Sequence, residues 1–392
     1  MDQAPIGGET TTVIIIGAGI SGIATAACLS RHSIPYLVLE REDCSASLWR
    51  KMTYDRLHLH VPKHLCHLPY MPFPATYPRY TSKDDFLRYI DDYVSYFEIR
   101  PLYKRDVVGA EYDEEKKGWS VKAVIKKDGV SKEERYWSRF LVVATGENTD
   151  PFVPEVQGLS TFNGKVVHST EYRSGKEYEN KKVLVVGCGN SGMEIGLDLA
   201  NHGANTSIVI RSPVHVQSRE MLRLSLALMK YIPIQVLDSF MTILGRITYG
   251  DLTRYGIYMP KEGAIAMRLK YGKYPIIDVG SIDKIKKQEI QVLPAITSIR
   301  GNDILFENGR SYAFDAIVFA TGFRRSTMNW IQGGDYLFDD EGLPKPSYPK
   351  HWKGENGLYC VGLSRSGIYG ATSDAANTAD DIRNLLDELD TA

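Results

Sequence analysis

The chain is 392 residues long, 43% hydrophobic and 24% charged, with a formal net charge of −1. That balance excludes a nucleic-acid binder working through bulk charge, and the length suits two domains, or one carrying a large insertion. Five scattered cysteines, Cys28, Cys44, Cys66, Cys188 and Cys360, contain no CxxC pair, which gives no disulfide framework and suits a reducing, cytoplasmic setting.

The opening MDQAPIGGET has no positively charged stretch. The apolar run behind it therefore reads as part of the mature fold and not as a secretion signal. VIIIGAGISG, residues 13–22, sets four β-branched residues before Gly17, Gly19 and Gly22 in GxGxxG spacing, and IATAACLS follows. This predicts a buried strand, a tight turn and a helix whose N-terminus can receive a pyrophosphate. The next strand, YLVLE, ends at Glu40, 23 residues after Gly17, where a carboxylate can accept the adenosine ribose hydroxyls.

Residues 57–61 alternate leucine and valine with His58 and His60 and predict a short half-buried strand. The histidines, with His64, Cys66 and His67, are dense, but strand and proline geometry argues against a metal centre, and none is expected. Ser82 reads as an N-cap, with Phe86, Ile90, Tyr93 and Phe97 at helical spacing behind it. VVGAEYD, WSVKAVIK and SKEERYWS, separated by turns at KKG and KDG, predict an antiparallel meander. RFLVVATGENTDPFVPEV then gives a buried strand running into prolines, where the first domain boundary is placed.

From Val183 the opening pattern repeats, with Gly187, Gly189 and Gly192 as its glycines. Each GxGxxG is followed, 129 and 135 residues later, by an apolar strand ending in ATG, at Gly146 and Gly322. The chain is thus expected to be α/β, with two Rossmann-like dinucleotide-binding domains and a small antiparallel meander. One domain comprises residues 1–153 plus 316–392; the other, 154–315, carries a helical insertion over about 213–280. The second unit's own second strand ends at Arg211, 24 residues after Gly187. A guanidinium pairs with a 2′-phosphate that a carboxylate would repel. The first turn is therefore expected to take FAD and the second NADPH.

Within 221–249 the apolar run is interrupted by Arg223, Lys230, Asp238 and Arg246 and broken by Pro233. A membrane-spanning helix needs roughly 20 largely uncharged residues. Two amphipathic helices covering a cleft are expected instead, with a membrane-surface contact as the second reading. The C-terminal part predicts a strand, a glycine-rich loop holding Arg365 and Tyr369, and a long helix capped at Thr372 or Ser373, with Asp374 in its first turn.

Between the two nucleotide units lies FNGKVVHSTEY. Its Phe162, Gly164, His168 and Tyr172 form the pattern FxGxxxHxxxY, which resembles the fingerprint of class B flavin-dependent monooxygenases; the closing tyrosine favours the flavin monooxygenase branch over the Baeyer–Villiger enzymes. The resemblance is closer still to the plant YUCCA-type enzymes, the indole-3-pyruvate monooxygenases of auxin synthesis. It runs through FLVVATGEN, KKVLVVGCGNSGMEI, YGDLTRYGIYMPKEG, PIIDVGSIDKI, FDAIVFATGF and HWKGENGLYCVG and covers essentially the whole chain. Gly-Ile-Ser at 19–21 is a minor departure from that family's turn.

This resemblance implies a plant enzyme in which NADPH reduces FAD and O2 adds at the flavin C4a position as a (hydro)peroxide. The peroxide attacks the ketone of an aryl-pyruvate, releasing CO2 and a shortened acid. It implies FAD contacts at Gly17, Gly19, Ser21, Gly22, Glu40, Leu48, Trp49, Thr145, Gly146 and Gly362. NADPH contacts fall at Gly187, Gly189, Asn190, Ser191, Gly192, Arg211, Ser212, Thr321 and Gly322. Broader flavin monooxygenases carry an asparagine near the flavin where this chain has His60. His60 is read either as a contact to NADP or the peroxyflavin or as a residue fixing the loop. His168 is read as a linker residue in preference to an acid or base, and Arg365 and Tyr369 as pocket-lining. An N- or S-oxygenating monooxygenase and a non-catalytic flavoprotein stand as alternatives, whereas a disulfide reductase would need a cysteine pair. No integral membrane span and no nucleic-acid partner are expected; the location is expected to be cytoplasmic, with loose association with the endoplasmic reticulum surface as the alternative, and the sequence carries no visible signal of oligomeric state.

Overall fold

The structure is a computed structural model that describes residues 9–127, 130–345 and 350–391. Its chain forms two compact units. The first gathers the described residues of 1–51, 63–150 and 323–392, and the second those of 52–62 and 151–322. Two differences from the expected division have physical causes. The strand formed by residues 316–319 hydrogen-bonds into the second unit's sheet. Residues 52–62 form a strap held by second-unit groups, with Asp55 N–H bonded to the Arg173 carbonyl.

The first unit opens with β1 (Thr10–Ile16), α1 (Ile20–Arg31) and β2 (Tyr36–Leu39). β1 is parallel to β2, with Val13 opposite Tyr36, and Val13 to Ile16 are buried, as a strand covered on both faces must be. α2 (Lys83–Tyr96) starts at the expected cap, where Ser82 Oγ accepts from Asp85 N–H, and Phe86, Ile90 and Tyr93 face inward. The meander follows as β3 (Asp106–Asp113), β4 (Gly118–Lys127) and β5 (Val130–Val143). The KDG turn lies outside the described residues.

The run SKEERYWS and the buried RFLVV are one strand, not two. The first part of β5 pairs antiparallel with β4 as far as Ser138, and its last residues run parallel to β1, with Phe140 opposite Val13. The change from alternating to fully apolar sequence marks where β5 passes from the edge of the meander to the interior of the sheet. No strand forms at 57–61: the segment there is irregular.

The second unit is built on a parallel sheet. Its strands are β6 (Lys165–His168), β7 (Lys182–Val186), β8 (Asn205–Val209), β9 (Ile290–Leu293) and, after a second meander, β13 (Ala316–Phe319), in the order β9-β8-β7-β13-β6. The meander is β10 (Ile296–Arg300), β11 (Asp303–Phe306) and β12 (Ser311–Ala313). α3 (Asn190–Asn201) joins β7 to β8. The insertion holds α4 (Arg219–Leu228) and α5 (Ile234–Tyr249), separated at Pro233, and also α6 (Ala264–Tyr271), which the sequence did not announce. α6 has no local cap: both carboxylate oxygens of Asp238, on α5, accept the N–H groups of Ile265 and Ala266.

The chain then returns to the first unit. β14 (Leu358–Cys360) pairs parallel with the end of β5. α7 (Gly367–Asp390) packs on α1 through small residues, with Ala24 and Ala27 on one helix and Ala375 and Ala379 on the other all buried. α7 begins at Gly367, with Ser366 as N-cap, so Thr372 and Ser373 are interior to it. Asp374 is a buried side chain beyond the first turn, bonded to Gly362 N–H and His351. Tyr369 is on the helix, not in the loop before it.

Candidate active site

Each unit places a glycine turn at the point where its sheet reverses strand order. β1 lies between β2 and β5, and β7 between β8 and β13. Ligands of open parallel sheets sit at the carboxyl ends of the strands at such reversals. The two turns agree closely. Gly17 has φ +106° and Gly187 +109°. A Cβ there would lie 2.7 Å from the Ala144 carbonyl oxygen in the first unit and 2.5 Å from that of Ala320 in the second. Gly22 and Gly192 pack so tightly that a Cβ would overlap the carbonyls of Gly17 and Gly187. By contrast, a Cβ on Gly19 or Gly189 would meet no atom within 4 Å. These two glycines are the N-caps of α1 and α3, and no side chain caps either helix, which leaves the positive end of the dipole without a side-chain acceptor. A pyrophosphate fits both places.

In the first unit the other expected FAD residues converge on this turn. Glu40 is buried: its Oε2 accepts from Ala18 N–H at 2.6 Å and its Oε1 from Glu42 N–H at 2.9 Å. Burial raises its pKa above the ordinary carboxylate value, against the lowering effect of those two bonds. The Gly362 backbone lies so close to Ser21 that a Cβ would overlap its Oγ. Gly146 continues from Thr145, whose Oγ1 lies 3.3 Å from Thr327 Oγ1, and Arg365 N–H donates to Glu147 at 2.6 Å. Leu48 and Trp49 stand on a short helix, Ser47–Lys51, reached through Ala46, whose N–H bonds the Ala18 carbonyl. The Trp49 ring packs on Phe86, centroids 4.4 Å apart. Tyr369 is 66% exposed on the first turn of α7.

In the second unit Thr321 and Gly322 follow the end of the strand β13. Thr321 Oγ1 donates to the Phe152 carbonyl, and Gly322 accepts from Phe152 N–H at 3.0 Å. Arg211 and Ser212 are exposed just beyond β8, and the Arg211 charge reaches the Cys188 thiol of the turn. The Asn190 side chain accepts Ile277 N–H at 2.7 Å and so ties the turn to the insertion.

The fingerprint residues build this unit. Gly164 sits against the Asp315 backbone, and Phe162 packs in the core beneath β10 and β11. Tyr172 donates to Asp198 on α3 at 2.7 Å. His168 is buried at the end of β6, with Nδ1 3.1 Å from Thr170 Oγ1 and Nε2 3.2 Å from the Gly322 carbonyl. Burial lowers its pKa below the ordinary imidazole value, against the raising effect of the Gly322 carbonyl. Both ring nitrogens are thus within hydrogen-bond distance of neighbouring groups, one of them the carbonyl of the ATG turn.

His60 also belongs to this unit. Its Nε2 pairs with Glu194, a carboxylate only 2% exposed on α3. Tyr54, also buried, interacts with Glu194 and with Ser191 of the glycine turn. Neither Glu194 nor Tyr54 stood out in the sequence. The available signal was the acid two residues past Gly192, where the apolar face of α3 should continue. His58 and His67 bond backbone carbonyls, and among the described residues no group of three or more His, Cys, Asp or Glu is gathered for a metal.

Two nucleotide turns of opposite charge preference in one chain define a pyridine-nucleotide-dependent flavoprotein oxidoreductase. Residues 14–236 match the family model described as pyridine nucleotide-disulphide oxidoreductase, although none of the five cysteines here forms a disulfide. "Probable indole-3-pyruvate monooxygenase YUCCA10" of Arabidopsis thaliana is 50% identical over 97% of this chain and 99% of its own. "Indole-3-pyruvate monooxygenase YUCCA6" from the same plant is 43% identical, covering 95% and 90%. The chain belongs to the YUCCA indole-3-pyruvate monooxygenase family. A flavin-containing monooxygenase from Stenotrophomonas maltophilia shares the fold at TM-score 0.71 and 19% identity, over 96% of this chain and 99% of that one. So does a cyclohexanone monooxygenase from Rhodococcus sp. Phi1, solved with NADP+, at TM-score 0.76 and 16% identity, over 98% and 85%.

Proposed function

We propose that this chain is an FAD- and NADPH-dependent monooxygenase that converts indole-3-pyruvate, NADPH, a proton and O2 to indole-3-acetate, CO2, NADP+ and water. The observation that carries the reading is the pair of matching turns with Glu40 at one and Arg211 at the other, in a chain half identical to a named member of the family. Bound FAD supplies the electron transfer and oxygen activation.

The chain's own residues divide the remaining work by unit. In the first, the α1 N-terminus and the Gly17–Gly22 turn take the FAD pyrophosphate, Glu40 the ribose, and the Gly362 loop closes on Ser21. In the second, the α3 N-terminus takes the NADPH pyrophosphate and Arg211 its 2′-phosphate. His60, oriented by Glu194, is the side chain this unit offers beyond its phosphate contacts, and it is assigned to the nicotinamide nucleotide. Tyr369 is kept as a pocket-lining residue of the first unit. Five cysteines with no disulfide among them support work in the cytoplasm.

Product analysis tests the reading. Purified yellow protein is given NADPH, O2 and a panel of aryl-pyruvates. Indole-3-acetate and CO2 formed in equal amounts with NADPH consumed is the expected result. NADPH oxidation indifferent to keto acids but coupled to a thioether or amine would transfer the chain to the N- or S-oxygenating class. Protein without flavin absorbance would refute the enzymatic reading.

A further inference from the structure

α5 has two apolar faces. Leu237, Met241, Gly245 and Tyr249 point inward and are buried. On the opposite side stand Val236, Phe240, Ile243 and Ile247, exposed by 59, 45, 57 and 75%. At about 100° per residue these four fall within about 60° of arc, so they form one continuous stripe facing water. Isolated exposed apolar residues need no explanation, but a contiguous stripe marks an interaction surface.

The charge around the stripe identifies what covers it. Residues 219–274 carry nine lysines and arginines against four acids, in a chain whose net charge is −1. Three of those acids are spoken for: Asp238 is buried and caps α6, Glu220 bonds Arg223 and Glu262 bonds Lys270. Arg246 stands on α5 three residues after Ile243, and Lys261 lines the same recess as Ile243 on the flank of the helix. A second copy of the chain, docked about a two-fold axis, would set this basic rim against itself. An anionic lipid surface buries the stripe in the headgroup layer and neutralises the rim together. Among the described residues no helix is long and apolar enough to cross a membrane, so the contact is with the surface.

We propose that the outer face of α5 docks this protein onto anionic membranes. Co-sedimentation of the FAD-loaded protein with vesicles of phosphatidylcholine, alone or mixed with phosphatidylserine, tests it. Binding to the mixed vesicles alone, weakening as salt rises, is expected. Phe240→Ser with Ile247→Ser should lower the partition coefficient by more than about tenfold. Arg246→Gln and Lys261→Gln should each lower it about fivefold. An unchanged thermal unfolding midpoint checks that these surface variants remain folded. Absence of binding to the mixed vesicles, or binding indifferent to both sets of variants, overturns the proposal. So does a concentration-dependent dimer that the Phe240 and Ile247 substitutions dissolve, because the face would then belong to a second copy.

Discussion

One residue past the second strand, the first unit has Glu40 and the second has Ile210; the residue after that is arginine in both, Arg41 and Arg211. Arg41 is held by neighbours of its own unit, with one guanidinium nitrogen donating to the Thr149 carbonyl at 3.1 Å and another 3.6 Å from Asp150. Arg211 is exposed beyond its strand. Each turn also has one buried carboxylate, but at different places: Glu40 at the strand end, bonded to the turn's own Ala18 N–H, and Glu194 on the helix, bonded to His60. The backbones are near copies, so the choice of nucleotide is carried by side chains. In the proposed assignment, Ile210 standing where an acid would stand serves the 2′-phosphate as much as Arg211 does.

The largest expected effect tests that asymmetry. Arg211→Ala should lower kcat/KM for NADPH about 10- to 100-fold, the loss of a charge-assisted phosphate contact, with NADH use and flavin content unchanged. Adding Ile210→Glu should move the preference toward NADH. An unaltered NADPH to NADH ratio in Arg211→Ala would break the comparison.

A middle-sized effect is expected at the second buried acid. His60→Ala leaves the Glu194 carboxylate without its ring partner and should cost about 2 kcal/mol in unfolding free energy, toward the low end for a broken buried pair because His60 is partly exposed. Glu194→Gln, which removes the charge and keeps the shape, should cost less while still weakening NADP+ binding measured by fluorescence titration. Equal losses in the two variants would mean that the carboxylate charge plays no part.

The smallest effect belongs to the first turn. Asp374 joins Gly362 N–H to His351, and its hydrogen bond raises the His351 pKa above the ordinary imidazole value. The stabilisation from this pair is complete below the ordinary histidine pKa, about 6.5. It is lost as pH rises through the raised value. His351 is 43% exposed, so solvent screening holds the effect to about 1 kcal/mol or less. The thermal midpoint should fall across that window, and His351→Gln should flatten the slope.

Most of the scaffold was legible because it is local. A buried strand, a GxGxxG turn and a small-residue helix are written in consecutive residues, twice, and the Ser82 cap and the Pro233 break sit beside the helices they bound. What escaped depends on distant partners. α6 is capped by Asp238 from another helix, and Asp374 looked like a first-turn acid because nothing local shows that it reaches Gly362. The alternation at 57–61 within the strap read as a strand, but the strap is held instead through Tyr54 and His60 to Glu194, on an element formed much later in the chain. The length of β5 was hidden because its composition changes midway as its neighbours change.

The nesting of the units also orders their assembly. The second unit needs residues 52–62 and 151–322 and can close once that much chain exists, whereas the first waits for β14 and α7. The pairing of β14 with β5 joins residues more than two hundred positions apart, a long loop whose closure slows folding. Gly362 and Asp374, which complete the FAD turn, lie in that last stretch. In the proposed assignment, a chain truncated before Gly362 lacks part of the FAD turn and is expected to be colourless.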